Sequence, residues 1–457
     1  MATTKETLRL LRDYESRNVT FLEPDGSWPI VWERARGVWV WDAEGKRYLD
    51  LTATFGVAAA GHANARVVRA GSRQMAKLVH AMGDVHPHPL KAQLARELSR
   101  ITFERWSEAA PAQTPLASHQ NRRRRAQSPL TGKTLFGNSG FEAVEAALKT
   151  AALATGKPGV IAFEGAYHGL GYGALNATHR EHFRRPFQAQ MGKFGHFAPW
   201  PASAGHPTPP PLEETESRLR RLFRRERIGA VLVEPVQARG GIRVPPPEFL
   251  PRLRELCDEH GALLILDEIY TGFGRTGKWF ACEQTQTVPD LICLGKALTG
   301  GFPLSACVGR AELMDAAWPA STGEAIHTST FLGHPVGCAM ALAQIAEIER
   351  RGLPARAAAL GEFLLGQLAR ISGPGSRVVG RPRGLGLLAG LELTWPDGTP
   401  ATQIALQAVK ALLRRGYIFL PEGEHANVIG FTPPLTIAKS ELARAVAALA
   451  MVLGKAR

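Results

Sequence analysis

Two carboxylates and a lysine stand at the ends of short apolar runs in GALLILDEIYTGFGRTGKWFACEQTQTVPDLICLGKALTGG, the stretch from Gly261 to Gly301. The first run, Ala262 to Leu266, ends in Asp267 and Glu268; the second, Leu291 to Leu294, ends in Gly295-Lys296. Each run is too short for a lone helix and has no polar break, which suits a parallel strand buried on both faces. In open α/β sheets the carboxyl ends of the strands line the ligand crevice. The acid and the lysine are therefore expected to face one pocket. A lysine amine there can form a Schiff base with pyridoxal phosphate, and an acid can hold the pyridine nitrogen protonated. Such a ring draws electrons from a substrate α-carbon while the freed amine moves the proton.

At this point a family resemblance enters. LLILDEIYTGFGRTGKWFA followed by PDLICLGKALTGGFPLSA resembles the class III, pyridoxal-phosphate-dependent aminotransferases of fold type I, in the aspartate aminotransferase superfamily. The resemblance runs from about Gly37 to the C-terminus. It implies an α/β fold: a large domain with a mostly parallel seven-stranded sheet between helices, and a smaller α+β domain built from both termini. The expected division is residues 1–75 (N-terminal segment and part of the small domain), 76–335 (large domain) and 336–457 (C-terminal small domain). It also implies pyridoxal 5'-phosphate held by Lys296, with Asp267 at the ring nitrogen and no metal. The reaction implied is ping-pong transfer of an amino group from an amino acid or amine to a 2-oxo acid.

Further motifs fall in register with that reading. LFGNSGFEAVEAALKTAALATG, from Leu135 to Gly156, is a glycine-bearing turn opening a helix. Free backbone N–H groups and the helix dipole make such a turn an anion site. By the resemblance, Ser139, Gly140 and Phe141 receive the cofactor phosphate. The family usually has a small residue where Phe141 stands; the contact is through the backbone, so phenylalanine narrows the pocket without abolishing it. Tyr167-His168-Gly169 resembles the family's aromatic-His-Gly, with Tyr167 stacking on one face of the ring and Ile269 on the other. Glu234-Pro235 matches an EP motif, whose acid orders the loop near the cofactor. Some relatives have, where Tyr270 stands, a glutamine bonding the cofactor's phenolic oxygen; whether the tyrosine hydroxyl reaches it is open. Thr330 matches a threonine that bonds the phosphate of the neighbouring subunit, which implies a homodimer with shared sites.

Two departures bear on substrate. Many members that use 2-oxoglutarate carry an acid shortly after the EP motif and an arginine before the terminal Phe-x-Pro-Pro-Leu, and the two pair and part as substrates alternate. Here those positions are Arg239 and Gly430. Either Arg239 supplies a carboxylate fork from the opposite wall, since a guanidinium matches a carboxylate bidentately, or no such clamp is used. Two-base racemases of this type look to place an aspartate near Arg239, and an arginine cannot act as that base at neutral pH. An aminomutase of the glutamate-1-semialdehyde type, a racemase or epimerase, and a catalytically silent binding protein of the same fold are the alternatives.

Composition sets the outer bounds. The chain has 457 residues, 45% apolar and 21% charged, and a formal net charge of +14. That length supports one large subunit with a smaller lobe. The basic residues are dispersed, and the densest run, Arg122 to Arg125, sits in a Pro/Gln/Ser/Ala-rich insertion at about 109–130 without aromatic interleaving. This reads as a solvated loop, so no nucleic-acid partner is expected. No apolar run is long enough to predict a membrane span. The first residues lack the apolar core of a secretory signal. Five cysteines without CxxC spacing argue against a disulfide framework and for a reducing cytoplasm.

Around the site motifs the pattern predicts a helical start over the first thirty residues, then an extended stretch to Trp32. It predicts a hairpin over Val38 to Leu51, helices over Leu90 to Ile101 and Leu212 to Arg227, and a helix from the prolines at 245–247 to His260. A proline-rich surface loop over Pro199 to Pro211 and a closing amphipathic helix from Lys439 complete it.

Overall fold

The computed structural model describes residues 3–109, 130–201, 210–371 and 378–454. The Arg-rich run lies outside the described residues, as does most of the proline-rich stretch after Pro199. Seven segments form the central sheet: Gly132–Gly137 (β1), Gly159–Phe163 (β2), Gly195–Ala198 (β3), Ile228–Val233 (β4), Leu263–Asp267 (β5), Leu291–Leu294 (β6) and Ser305–Arg310 (β7). Their spatial order is β1-β7-β6-β5-β4-β2-β3. β7 runs antiparallel to both β1 and β6, and every other pairing is parallel. This is the mostly parallel seven-stranded sheet expected.

Continuous apolar runs can form these strands because both faces are covered. Over one face lies the helix Gly140–Thr155 (α1), whose Ala143, Val144, Ala147 and Ala151 pack with Val160, Leu232 and Ile265. The other face, through Leu264, Leu266 and Ile292, joins the main core with Phe249 and Leu253 of the helix Phe249–His260. All five cysteines are buried and free. No helix of the described residues is long and apolar enough to cross a membrane.

The two chain ends share a second sheet. The predicted hairpin forms from Trp39–Asp42 and Arg47–Asp50, and its second strand accepts Tyr417–Ile418 in parallel, with Leu49 opposite Tyr417. A third sheet has Val379–Leu385, Leu388–Thr394, Val428–Phe431 and Leu420–Glu422 in that spatial order.

Local boundaries differ from expectation where breakers act. The N-terminal helix covers only Thr4–Tyr14, capped by Thr3; Pro24, Gly26 and Pro29 follow and stop helix from resuming. The prolines at 245–247 delay their helix to Phe249, because a residue preceding proline is driven out of helical geometry. The predicted Leu90–Ile101 helix is Pro89–Ser99, continued by a wider π-turn over Arg100–Glu104.

Candidate active site

β5 and β6 are parallel neighbours with Asp267 opposite Cys293, so the carboxylate and Lys296 leave the sheet side by side. Both line one cavity of about 350 Å³. Asp267 is 5% exposed. Lys296 is half-buried and its backbone is left-handed, with φ of 42°. A non-glycine residue in that region costs about 1–3 kcal/mol and persists only where its surroundings hold it. Here Leu298 N–H bonds Gly295 carbonyl at 2.9 Å and keeps the turn tight. The Lys296 amine stands 4.7 Å from the centre of the Tyr270 ring.

Asp267 is held from two sides. His168 Nδ1 lies 2.8 Å from Asp267 Oδ2, and Ile269 N–H donates to Oδ1 at 3.1 Å. His168 comes from the loop after β2, fixed by its own N–H donating to Thr178 Oγ1 at 2.9 Å. Glu234, at the end of β4, orders the adjoining loops: Oε1 accepts Tyr167 N–H and Oε2 accepts Ala238 N–H, both at 3.1 Å. Its near-complete burial pushes the carboxyl up to about 7. Burial likewise holds the Lys296 amine below the ordinary lysine range, although Asp267 and Glu234 pull it the other way.

At the other end of the cavity α1 begins. Its cap residue Ser139 makes no side-chain cap bond, which leaves first-turn N–H groups open for an anion. Glu142 folds back to the Asn138 backbone and side-chain amides at 2.8 and 3.1 Å, fixing the turn. A Cβ on Gly140 would stand 3.0 Å from Ile269 Cδ1, so the backbone there approaches the cavity closely only because it is glycine. Phe141 is exposed, and its side chain packs over the glycine loop: a Cβ on Gly171 would lie 2.5 Å from Phe141 Cδ2. Phe141 thus both lines the cavity and packs against that loop.

Of the twelve residues singled out from the sequence, the cavity brings together Gly140, Phe141, Tyr167, His168, Glu234, Arg239, Asp267, Ile269, Tyr270 and Lys296. Ser139 adjoins it as the helix cap without lining it. Thr330 is exposed in a turn and does not line this chain's cavity. The Tyr270 hydroxyl points to Thr432 Oγ1 at 3.3 Å, and burial raises its pKa well above a free phenol's, so it stays protonated. Sequence reasoning missed Glu422. Its Oε2 accepts from Arg239 Nη1 at 3.1 Å, from the edge strand beside Val428–Phe431. It missed Arg180 as well, whose guanidinium donates to the Arg239 carbonyl. Neither sits in a motif; only the fold brings each of them to Arg239.

The chain matches the aminotransferase class-III family over residues 23–453 and belongs to it. It is 36% identical over 430 residues to a 5-aminovalerate aminotransferase of Pseudomonas aeruginosa, covering 92% of this chain and 93% of the relative. It is 36% identical over 425 residues to an acetylornithine aminotransferase of Methanopyrus kandleri, covering 93% and 94%. Among solved structures, a thermostable (S)-enantioselective omega-transaminase from Thermomicrobium roseum superposes with a TM-score of 0.85 at 28% identity, over 99% of each chain. The protein is thus a pyridoxal-phosphate-dependent aminotransferase of class III. The residues present fit that cofactor: a desolvated amine and a buried carboxylate share one cavity, a helix N-terminus adjoins it with first-turn N–H groups suited to an anion, and the buried His168 Nε2 has no hydrogen-bond partner among the described residues.

Proposed function

We propose that Lys296 is the residue that carries the cofactor, and that the chain moves an amino group from an amino acid or amine to a 2-oxo acid by alternating half-reactions. The observation that carries this is the meeting of Lys296 and Asp267 in one cavity from adjacent strands. When bound, pyridoxal phosphate supplies an electron sink for the substrate α-carbon. The chain's own groups do the rest. Lys296 Nζ takes the α-proton and returns it; desolvation keeps more of the amine neutral near pH 7, the form a base needs. Asp267 keeps the ring nitrogen protonated, and His168 fixes the orientation of that carboxylate. Amides of Gly140 and Phe141, with Ser139, hold the phosphate; Tyr167 and Ile269 close over the two faces and exclude water. Glu234 locks the loops carrying Tyr167 and Arg239. Arg239 takes the carboxylate of the oxo acid.

The same reading makes the active unit a homodimer in the cytoplasm, with Thr330 offered to the phosphate of the second subunit. It also keeps the lobe division at about residues 75 and 335. The experiment is a pair of half-reactions followed spectroscopically. Donor alone should bleach the visible band, and oxo acid should restore it. Lys296→Ala should lack that band and the turnover. Isomerisation of an amino acid without any oxo acid, or a rate that requires both substrates bound together, would defeat the proposal.

A further inference from the structure

One ion pair in the cavity wall joins two sheets. Arg239 stands in the loop after β4, and Glu422 ends the strand Leu420–Glu422 of the C-terminal sheet; Arg239 Nη1 meets Glu422 Oε2 at 3.1 Å. Arg239 lines the cavity and covers Glu422. The partners are unequal: the Glu422 side chain is 7% exposed and that of Arg239 is 32%. The carboxylate rides on a strand hydrogen-bonded to Val428–Phe431 and cannot follow a moving partner. The guanidinium is part-exposed and can turn, while its backbone stays pinned through the Arg239 carbonyl, which accepts from Arg180 and from Gly423 N–H. The ring of Phe55, 5.8 Å from Arg239 Cζ, flanks its outer side.

These differences set what can open the pair. Arg239 loses little by turning to water, but Glu422 then loses its ion-pair partner and keeps only the fields of Arg180 and Lys296 while it stays buried, a costly state. Another cation must take the vacated place. An oxo acid draws Arg239 aside by its carboxylate and offers Glu422 nothing. A donor with a second ammonium exchanges one cation for another at the buried acid. The fields of Arg180 and Lys296 also reach Glu422, and Glu422 lies behind Arg239, which lines the cavity with Lys296.

We infer that Glu422 is the ammonium subsite of the donor pocket, and that this chain takes diamines, whose distal ammonium displaces Arg239. The inference rests on the reading of Lys296 and Arg239 given above. Relative to the acid and arginine of the family gate, the charges have changed sides: the arginine follows the EP motif and the acid comes from the C-terminal sheet.

The test is single-turnover kinetics of the cofactor-loaded enzyme with 1,n-diamines of three to six carbons, with butylamine as the monoamine control. The half-saturation concentration is read separately from the rate. Wild-type protein should half-saturate with its best diamine at about tenfold lower concentration than with butylamine. Glu422→Gln should weaken the diamine about tenfold or more, leave butylamine within about threefold, and tighten the oxo acid about threefold by freeing Arg239. Glu422→Asp keeps the charge one methylene further back, so it should shift the preferred diamine to a longer chain; it serves if the glutamine variant does not fold. Parallel loss for diamine and monoamine, or an oxo acid bound no more tightly, would overturn the subsite while leaving the role of Lys296 intact. Failure of every amine to react in wild-type protein would overturn both.

Discussion

His168 Nδ1 and Asp267 Oδ2 are 2.8 Å apart, a contact between residues 99 positions distant that ties the loop after β2 to the end of β5. The other ring nitrogen is buried with no hydrogen-bond partner among the described residues, so the polar contact that holds the ring is the one to Asp267. His168→Ala should therefore weaken cofactor retention about tenfold to a hundredfold, the value of a hydrogen bond to a charged group. Equilibrium dialysis or fluorescence titration of the apoenzyme would measure it. Retention equal to wild type would mean that Asp267 needs no support.

The packing of Phe141 over the glycine loop makes a second prediction. Gly171→Ala places a methyl 2.5 Å from Phe141 Cδ2 and 3.0 Å from Glu145 Oε1. The ring has to turn toward the cavity, at an overpacking cost of about 1–3 kcal/mol. Cofactor affinity should fall about tenfold in the single variant and return to within about threefold in the Gly171→Ala/Phe141→Ala pair. Equal losses in both backgrounds would show that the two side chains do not compete for space.

Arg239→Ala should raise KM for the oxo acid about 30-fold or more, the effect of about 2 kcal/mol or more when one partner of a buried charged contact is lost. Arg239→Lys should recover only part of this, because an ammonium lacks the planar fork. If KM for the oxo acid stays unchanged in the alanine variant, the carboxylate role is lost.

Glu268 yields a prediction about pH. It accepts from Thr271 Oγ1, Ala281 N–H and Cys282 N–H, and burial pushes its carboxyl up to about 7. Unfolded, it ionises near 4.5; between those values the unfolded chain gives up its proton first, so stability falls as pH rises and levels off above about 7. The contribution is at most about 3 kcal/mol. Glu268→Gln should be less stable at pH 5 but should flatten this limb in denaturant titrations from pH 5 to 8. Parallel curves for the two proteins would rule it out.

Much of the site was readable because its main residues end strands. A continuous apolar run that stops at Asp267 or at Gly295-Lys296 carries its own address in an open sheet, and the turn before α1 announces an anion site by glycine placement. What escaped were pairings between distant loops. Glu422 lies in a short edge strand with no alternation to mark it, and its partner Arg239 was placed without it. Arg275 shows the same blindness: a fully buried arginine, where an arginine reads as surface, donates through Nη1 to the carbonyls of Leu387 and Pro433. The family threonine Thr330 is exposed on this chain, so its assignment depends on a surface that a single subunit does not have.

The parallel pairing of Leu49 with Tyr417 has a consequence for synthesis. During translation the early hairpin emerges with one edge bare and stays so until the ribosome has delivered Tyr417 and Ile418. The central sheet, complete at Arg310, can mature before then. A nascent chain arrested before Tyr417 would thus hold a complete central sheet beside a hairpin with one edge unpaired, and delivery of Tyr417 and Ile418 would close that edge.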